Sequence, residues 1–153
     1  MNKESKTTIE NEELMESRLE QILNDALIKA TDTYSVPPQI IWVDNSTIAT
    51  LGNFSASTGK AKAKKTFNVS ALVAASLSNG TVLNYRACLP EGKRRILYVD
   101  TEQSRYHCHN VLARILKLAG LPTDMDNQNL DFIGLREYTP AIRMEVIDYA
   151  LAH

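Results

Sequence analysis

"GNFSASTGKAKAKKTFNV", residues 52–69, contains the eight residues whose reading decides the fold: "GKAKAKKT", Gly59 to Thr66. A phosphate-binding loop has the pattern G-x-x-x-x-G-K-[ST]. Gly59, Lys65 and Thr66 fill the first glycine, the lysine and the hydroxyl position. The second glycine is replaced by Lys64.

Each match has a physical role. Gly59 lets the chain leave a strand in a conformation other residues resist. The amides of Lys60, Ala61, Lys62, Ala63 and Lys64 can then curl around phosphate oxygens. A helix opening near Thr66, with Phe67 in its first turn, aims its positive end at the same anion. Lys65 reaches the outer phosphates as a point charge. The hydroxyl of Thr66 suits a Mg²⁺ ion that also holds water and phosphate oxygens. Lys64 either crowds the nucleotide or swings outward and adds positive charge. The competing reading is that Lys60, Lys62, Lys64 and Lys65 are a solvated charge run. A register led by Gly52, with Gly59-Lys60 as its end, puts six residues between the glycines and Ala61 where a hydroxyl is needed. It is rejected. The context favours the loop, with a strand expected before it and an apolar helix after it.

Outward from the loop, the chain reads as one soluble domain. It has 153 residues, net charge −1, 44% hydrophobic and 23% charged residues. So small a charge gives no global pull toward nucleic acid or membrane, and any attraction must be local. Cys88 and Cys108 form no CxxC pair and suit a reducing compartment. The polar N-terminus is no signal peptide, and no apolar run spans a bilayer. A cytoplasmic location is expected.

Residues 1–11 are polar and expected to be disordered. From Glu12 to Thr31, Met15, Leu19, Ile22, Leu23, Ala26 and Ala30 recur at helical spacing and predict an amphipathic helix in a separate segment, 1–35. "SVPP", 35–38, ends it. "QIIWV", 39–43, and "TIATL", 47–51, read as a hairpin. "FNVSALVAASLS", 67–78, is apolar on most sides and reads as a buried helix that Asn79-Gly80 closes. "TVLNYRACL" is a weaker strand or an excursion. "RRILYVD", 94–100, fits the middle of a parallel sheet. A helix is expected over about Arg105 to Ala119, a strand over "LDFIGL", 130–135, and a helix from the Thr139 N-cap with Pro140 at its first position. The apolar face of that last helix is Ile142, Val146, Ile147, Ala150 and Leu151. Strands alternating with helices predict a three-layer α/β domain, 36–153, with a mainly parallel sheet. The pattern stops at His153 without a C-cap signal, as expected of the front part of a longer protein.

The second element of the candidate site is "ILYVDTEQS", 96–104. A carboxylate at the C-terminal tip of this strand lies where ligands bind in open α/β sheets. Glu102 is placed to orient and deprotonate an attacking water, and Asp100 to act around the metal. The competing reading is that these polar residues cap the next helix.

"GKAKAKKT", the apolar helix after it and "ILYVDTEQS" together resemble the RecA-like P-loop ATPases. More narrowly, they are similar to the replicative-helicase type ATPases of plasmids and mobile elements, including a Bacteroidetes-type loop with a basic residue at the second glycine. "LREYTP", 135–140, fits the same resemblance, which covers roughly residues 38–153. It implies an ATPase that uses ATP and Mg²⁺, acts on DNA in replication, mobilisation or recombination, and works as a ring or filament. It also implies that Glu102 is the catalytic glutamate. The family's Walker B strand does not appear and is expected beyond His153.

Other conspicuous residues read as structure. "HCH", 107–109, sits on a helix, where side chains two apart diverge and cannot share an ion. Cys108 falls on the apolar face. Trp42 and Tyr34 are expected to pack beneath the N-terminal helix, and Lys93 to Arg95 to form an exposed turn.

Overall fold

A computed structural model describes the backbone of residues 3–60 and 63–153. The chain divides into two compact units, Met1–Val36 and Pro37–His153.

The first unit is one helix, α1, Lys3–Ala26. It begins earlier than its apolar spacing suggested, because Glu and Lys are strong helix formers whether or not they have an apolar face. It also ends earlier. The Asp32 carboxylate accepts from the Lys29 amide at 2.8 Å and from the Tyr34 hydroxyl at 2.9 Å. A short acidic side chain that takes a nearby amide offers the backbone an alternative to the helical ladder. Tyr34 is therefore exposed, with its hydroxyl on Asp32.

The second unit opens with a hairpin, β1 (Gln39–Val43) and β2 (Ser46–Thr50). Its two-residue turn has Asp44 at φ 50°, a left-handed conformation that Asp tolerates. A second hairpin, β3 (Thr81–Val82) and β4 (Tyr85–Ala87), turns through Leu83 at φ 54°. This resolves "TVLNYRACL". The four strands form one sheet in the order β2-β1-β4-β3, with every pairing antiparallel. Trp42 lies in it, with the Arg86 guanidinium over its ring at 3.8 Å.

Between the hairpins runs α2, Lys65–Ser78. Its buried face is small: Ser70, Ala71, Ala74 and Ala75 have no exposed surface. Ser70 and Ser76 donate their hydroxyls to the carbonyls of Thr66 and Leu72, which satisfies them where water is excluded. Small side chains let α2 pack closely on β3 and β4, and also on β5 (Ile96–Asp100) and α3 (Arg105–Leu118). Asn79 closes α2 in the left-handed conformation, φ 47°, while its side-chain oxygen accepts from the Leu89 amide at 2.5 Å.

After α3 comes β6, Leu130–Gly134, parallel to β5 from Ile96↔Leu130 to Asp100↔Gly134. Tyr98 stacks on Phe132 at 4.3 Å across the pair. Helix α4, Pro140–Ala152, starts at Thr139, whose hydroxyl accepts from the Ile142 amide. Val146, Ile147 and Ala150 are half-buried, while Ile142 and Leu151 of the expected face are exposed.

The mainly parallel sheet expected from the alternation is therefore confined, among the described residues, to β5 and β6. The reason lies in the connections. Two-residue links join only antiparallel neighbours, and the first four strands are two such hairpins. One core spans both parts, running from Ile41, Val82 and Ala87 through Ala71 and Ala74 to Val111, Ile115 and Leu130.

Candidate functional site

The loop ahead of α2 is not entered from a strand. β2 ends at Thr50, and residues 51–58 carry no ladder. The strand expected immediately before Gly59 is absent from the described residues, and Phe54 within that segment is almost fully exposed. Ser55 is tied back by its hydroxyl to the Ile48 carbonyl at 2.6 Å.

The Ala63 amide donates to the Lys60 carbonyl at 3.2 Å. Ala61 and Lys62, both expected to cradle phosphate, lie outside the described residues. Lys64 then adopts φ 56°, ψ 25° as the residue that caps α2. This is the left-handed region, where glycine carries no steric cost and lysine does. The position that the motif reserves for glycine thus has the backbone conformation that favours glycine. No side chain caps this helix. The Lys64 carbonyl accepts from the amides of Phe67 and Asn68, at 3.0 and 3.1 Å. The amides of Lys65 and Thr66 precede any intrahelical acceptor, as in every helix.

Lys65 bends back so that Nζ donates to the Gly59 carbonyl at 2.5 Å. A Cβ at Gly59 would touch the stem of Lys65 at 3.6 Å. Lys60, Lys64, Lys65, Thr66 and Phe67 are all exposed.

Asp100 ends β5 and is buried. One carboxylate oxygen accepts from the amides of Glu102 and Gln103, at 2.9 and 2.7 Å, and the other from the Gln103 carboxamide at 2.7 Å. Burial pushes its pKa up, but the amides of Gln103 and Glu102 and the Gln103 side chain outweigh it, so the net shift is down. The ionised carboxylate fastens the turn after the strand. Both oxygens expected to serve a metal are committed to protein donors. Gln103, which the sequence did not single out, is the partner that commits them. The signal was legible only as the Asp-x-x-Gln spacing.

Glu102 is exposed on this turn, with its amide bound to Asp100. Among the described residues, no hydrogen bond or ion pair joins Lys64, Lys65 or Thr66 to Asp100 or Glu102. The loop and the two carboxylates lie in the same compact unit. No group of three or more His, Cys, Asp or Glu side chains among the described residues is arranged to hold a metal ion.

Cys108 is buried beside Gly134, where an added Cβ would meet its sulfur at 3.5 Å. Burial, then the Asp100 charge, pushes its thiol pKa up, as suits a residue of the core. Arg143 of α4 donates to the carbonyls of Leu135 and Arg136, both at 2.9 Å, and fixes the turn after β6. A groove of about 740 Å³ lies between α3 and β6, with Leu112, Leu116 and Phe132 on its walls and Asp124 and Asp126 among its lining residues. Among the described residues, no helix is long and apolar enough to cross a membrane.

Comparisons of this chain with protein-family models, with curated proteins and with solved structures find no match.

Proposed function

We propose that this chain is the nucleotide-binding portion of a RecA-like, DNA-associated P-loop ATPase acting in replication, mobilisation or recombination of mobile DNA. It works in the cytoplasm, as a ring or filament, with ATP and Mg²⁺. The observation that carries this reading is the left-handed Lys64 at the second glycine position, directly ahead of a buried helix without a side-chain cap. A lysine in a conformation suited to glycine carries a steric cost, and a required phosphate turn accounts for its being kept there.

In this reading Lys65 leaves the Gly59 carbonyl for the outer phosphates, the loop amides hold the inner ones, and Thr66 supplies its hydroxyl to the magnesium ion. Glu102 takes a proton from the attacking water. Asp100 holds the Glu102 turn in place. A Walker B strand completes the site, and β6, which has a strand neighbour on one side only among the described residues, offers an edge for it.

Titration of the full-length protein with a fluorescent ATP analogue and Mg²⁺ tests the assignment. Lys65→Ala is expected to weaken binding by roughly tenfold or more, the value of a charge-assisted hydrogen bond. Unchanged affinity would refute the phosphate role. Glu102→Gln is expected to keep binding and to slow hydrolysis by about 10²–10⁴-fold.

A second reading is a non-catalytic module that uses its lysines for a DNA backbone or a protein partner. The missing strand before Gly59 and the Lys65–Gly59 bond favour it. Steeply salt-dependent DNA binding with no response to ATP would select it.

A further inference from the structure

We propose that the groove between α3 and β6 binds a small organic cation with an apolar body, in chemical class an arylalkyl ammonium. The proposal goes beyond the reading above and makes no use of the Gly59–Thr66 loop.

The groove has the size and walls of a small-ligand site. Its volume of about 740 Å³ lies within the roughly 300–1,000 Å³ common to such sites. Leu116 and Leu130 of its lining are buried, and Leu112 and Phe132 are half-buried. The Phe132 ring is stacked on Tyr98 at 4.3 Å, which fixes the aromatic part of the wall.

The charge of the lining has one sign. Asp124, Asp126 and Asp131 contribute to it, together with His109, and no lysine or arginine does. Asp131 is engaged by Arg95 at 3.0 Å, whereas neither Asp124 nor Asp126 has an ion pair among the described residues. The loop that carries these two is anchored at both ends. At the α3 end, Gly120 takes φ 71° and the Leu121 amide donates to the Leu116 carbonyl at 2.9 Å. At the β6 end, Asn127 accepts from the Leu130 amide on its carbonyl and from the Asn129 amide on its side chain. A loop fixed in this way presents its carboxylates with little ordering left to be done on binding.

These features choose the occupant. Carboxylates without a cation beside them repel phosphate and nucleic acid. A second copy seated groove to groove would bring two acidic rims together. A bare metal ion leaves the apolar walls wet, and no group of three or more ligating side chains among the described residues is arranged to hold one. The lining takes four consecutive residues of β6, Leu130 to Ile133, which span about 13 Å at roughly 3.3 Å each. That is the length of a small molecule rather than of a docked helix. An ammonium group on an apolar body satisfies Asp124 and Asp126 and covers Leu112, Leu116 and Phe132 at once.

Calorimetric titration of the full chain with phenylbutylamine, together with amide NMR shifts, tests this. The amine is expected to bind and to shift the amides of Leu112, Leu116 and Phe132. Phenylbutanol, of the same shape without the charge, should bind about fivefold more weakly, and phenylbutyrate should not bind. Asp124→Asn/Asp126→Asn, at two exposed positions, should weaken the amine about fivefold and remove its salt dependence, with an unchanged melting temperature. Lys65→Ala should leave the amine bound as in the parent, so the result does not depend on the phosphate loop. Four results would overturn the proposal: equal affinity for amine and butyrate, full affinity in the double variant, shifts confined to residues outside the groove, or a lysine-bearing apolar peptide that takes the groove a hundredfold more tightly than the amine.

Discussion

Lys64 concentrates the argument at the scale of a single residue. Its side chain breaks the glycine-lysine signature, yet its backbone at φ 56° adopts what a glycine would adopt. The left-handed region costs a non-glycine residue about 1–2 kcal/mol. Lys64→Gly is therefore expected to raise stability by about 1 kcal/mol, read as a higher denaturation midpoint, without loss of ATP-analogue affinity. If the substitution destabilises the protein, the lysine side chain contributes a contact that outweighs its strained backbone. Asp100 makes the opposite case, a charge whose worth lies in what it ties together. Its pKa is lowered on folding, so it adds stability above its ordinary value of 3.8, and that stability is lost as pH falls through the lower folded value. Asp100→Asn turns an acceptor into a donor facing Gln103 and should cost about 1–3 kcal/mol. Chemical denaturation at pH 7 and at pH 3 would show the gap between parent and variant narrowing in acid.

At the scale of elements, turn chemistry outweighs strand propensity. The first sheet is antiparallel because Asp44-Asn45 and Leu83-Asn84 are two-residue links. The first was readable, since Asp and Asn are ordinary turn residues. The second was not, since a leucine at φ 54° gives no turn signal. Leu83 is exposed as well as strained, so little burial is lost on replacing it. Leu83→Asn should raise the melting temperature by a few degrees, corresponding to about 0.5–1 kcal/mol. A lower melting temperature would mean that its side chain has a packing role. Helix α2 was legible from its composition, because a run of alanine, serine and valine can only be buried on several sides. Its neighbours were not, because small side chains permit close packing without saying on what. The cap at Asn79 was likewise plain in the sequence, while its bond to Leu89, ten residues on, needed the fold.

At the scale of the whole molecule, the buried hydrophobic residues among those described lie between Ile41 and Leu135, within the second unit. A chain reduced to residues 37–153 is therefore expected to unfold cooperatively, with a melting temperature within a few degrees of the parent. Calorimetry that found it molten would show α1 to be part of the core. The candidate site was legible to a similar extent. The motif residues, the strand tip and the helix that follows the loop were all visible as local patterns. Two things were not: the bond that folds Lys65 back onto Gly59 and the commitment of Asp100 to its own turn. Each depends on residues distant along the chain, or on which of several donors reaches an oxygen first.

The sequence by itself determined the three helices of the second unit and the strands β1, β2, β5 and β6, since periodicity and caps are written in neighbouring residues and act over one or two turns. Only the tertiary structure decided how the strands pair. A five-residue apolar run is compatible with a parallel or an antiparallel neighbour, and the choice rests on the length of the link and the helix packed above it. The same holds for chemistry. The residue types of the Gly59–Thr66 loop are fixed by the sequence, whereas the direction of their donors follows from backbone angles that packing imposes.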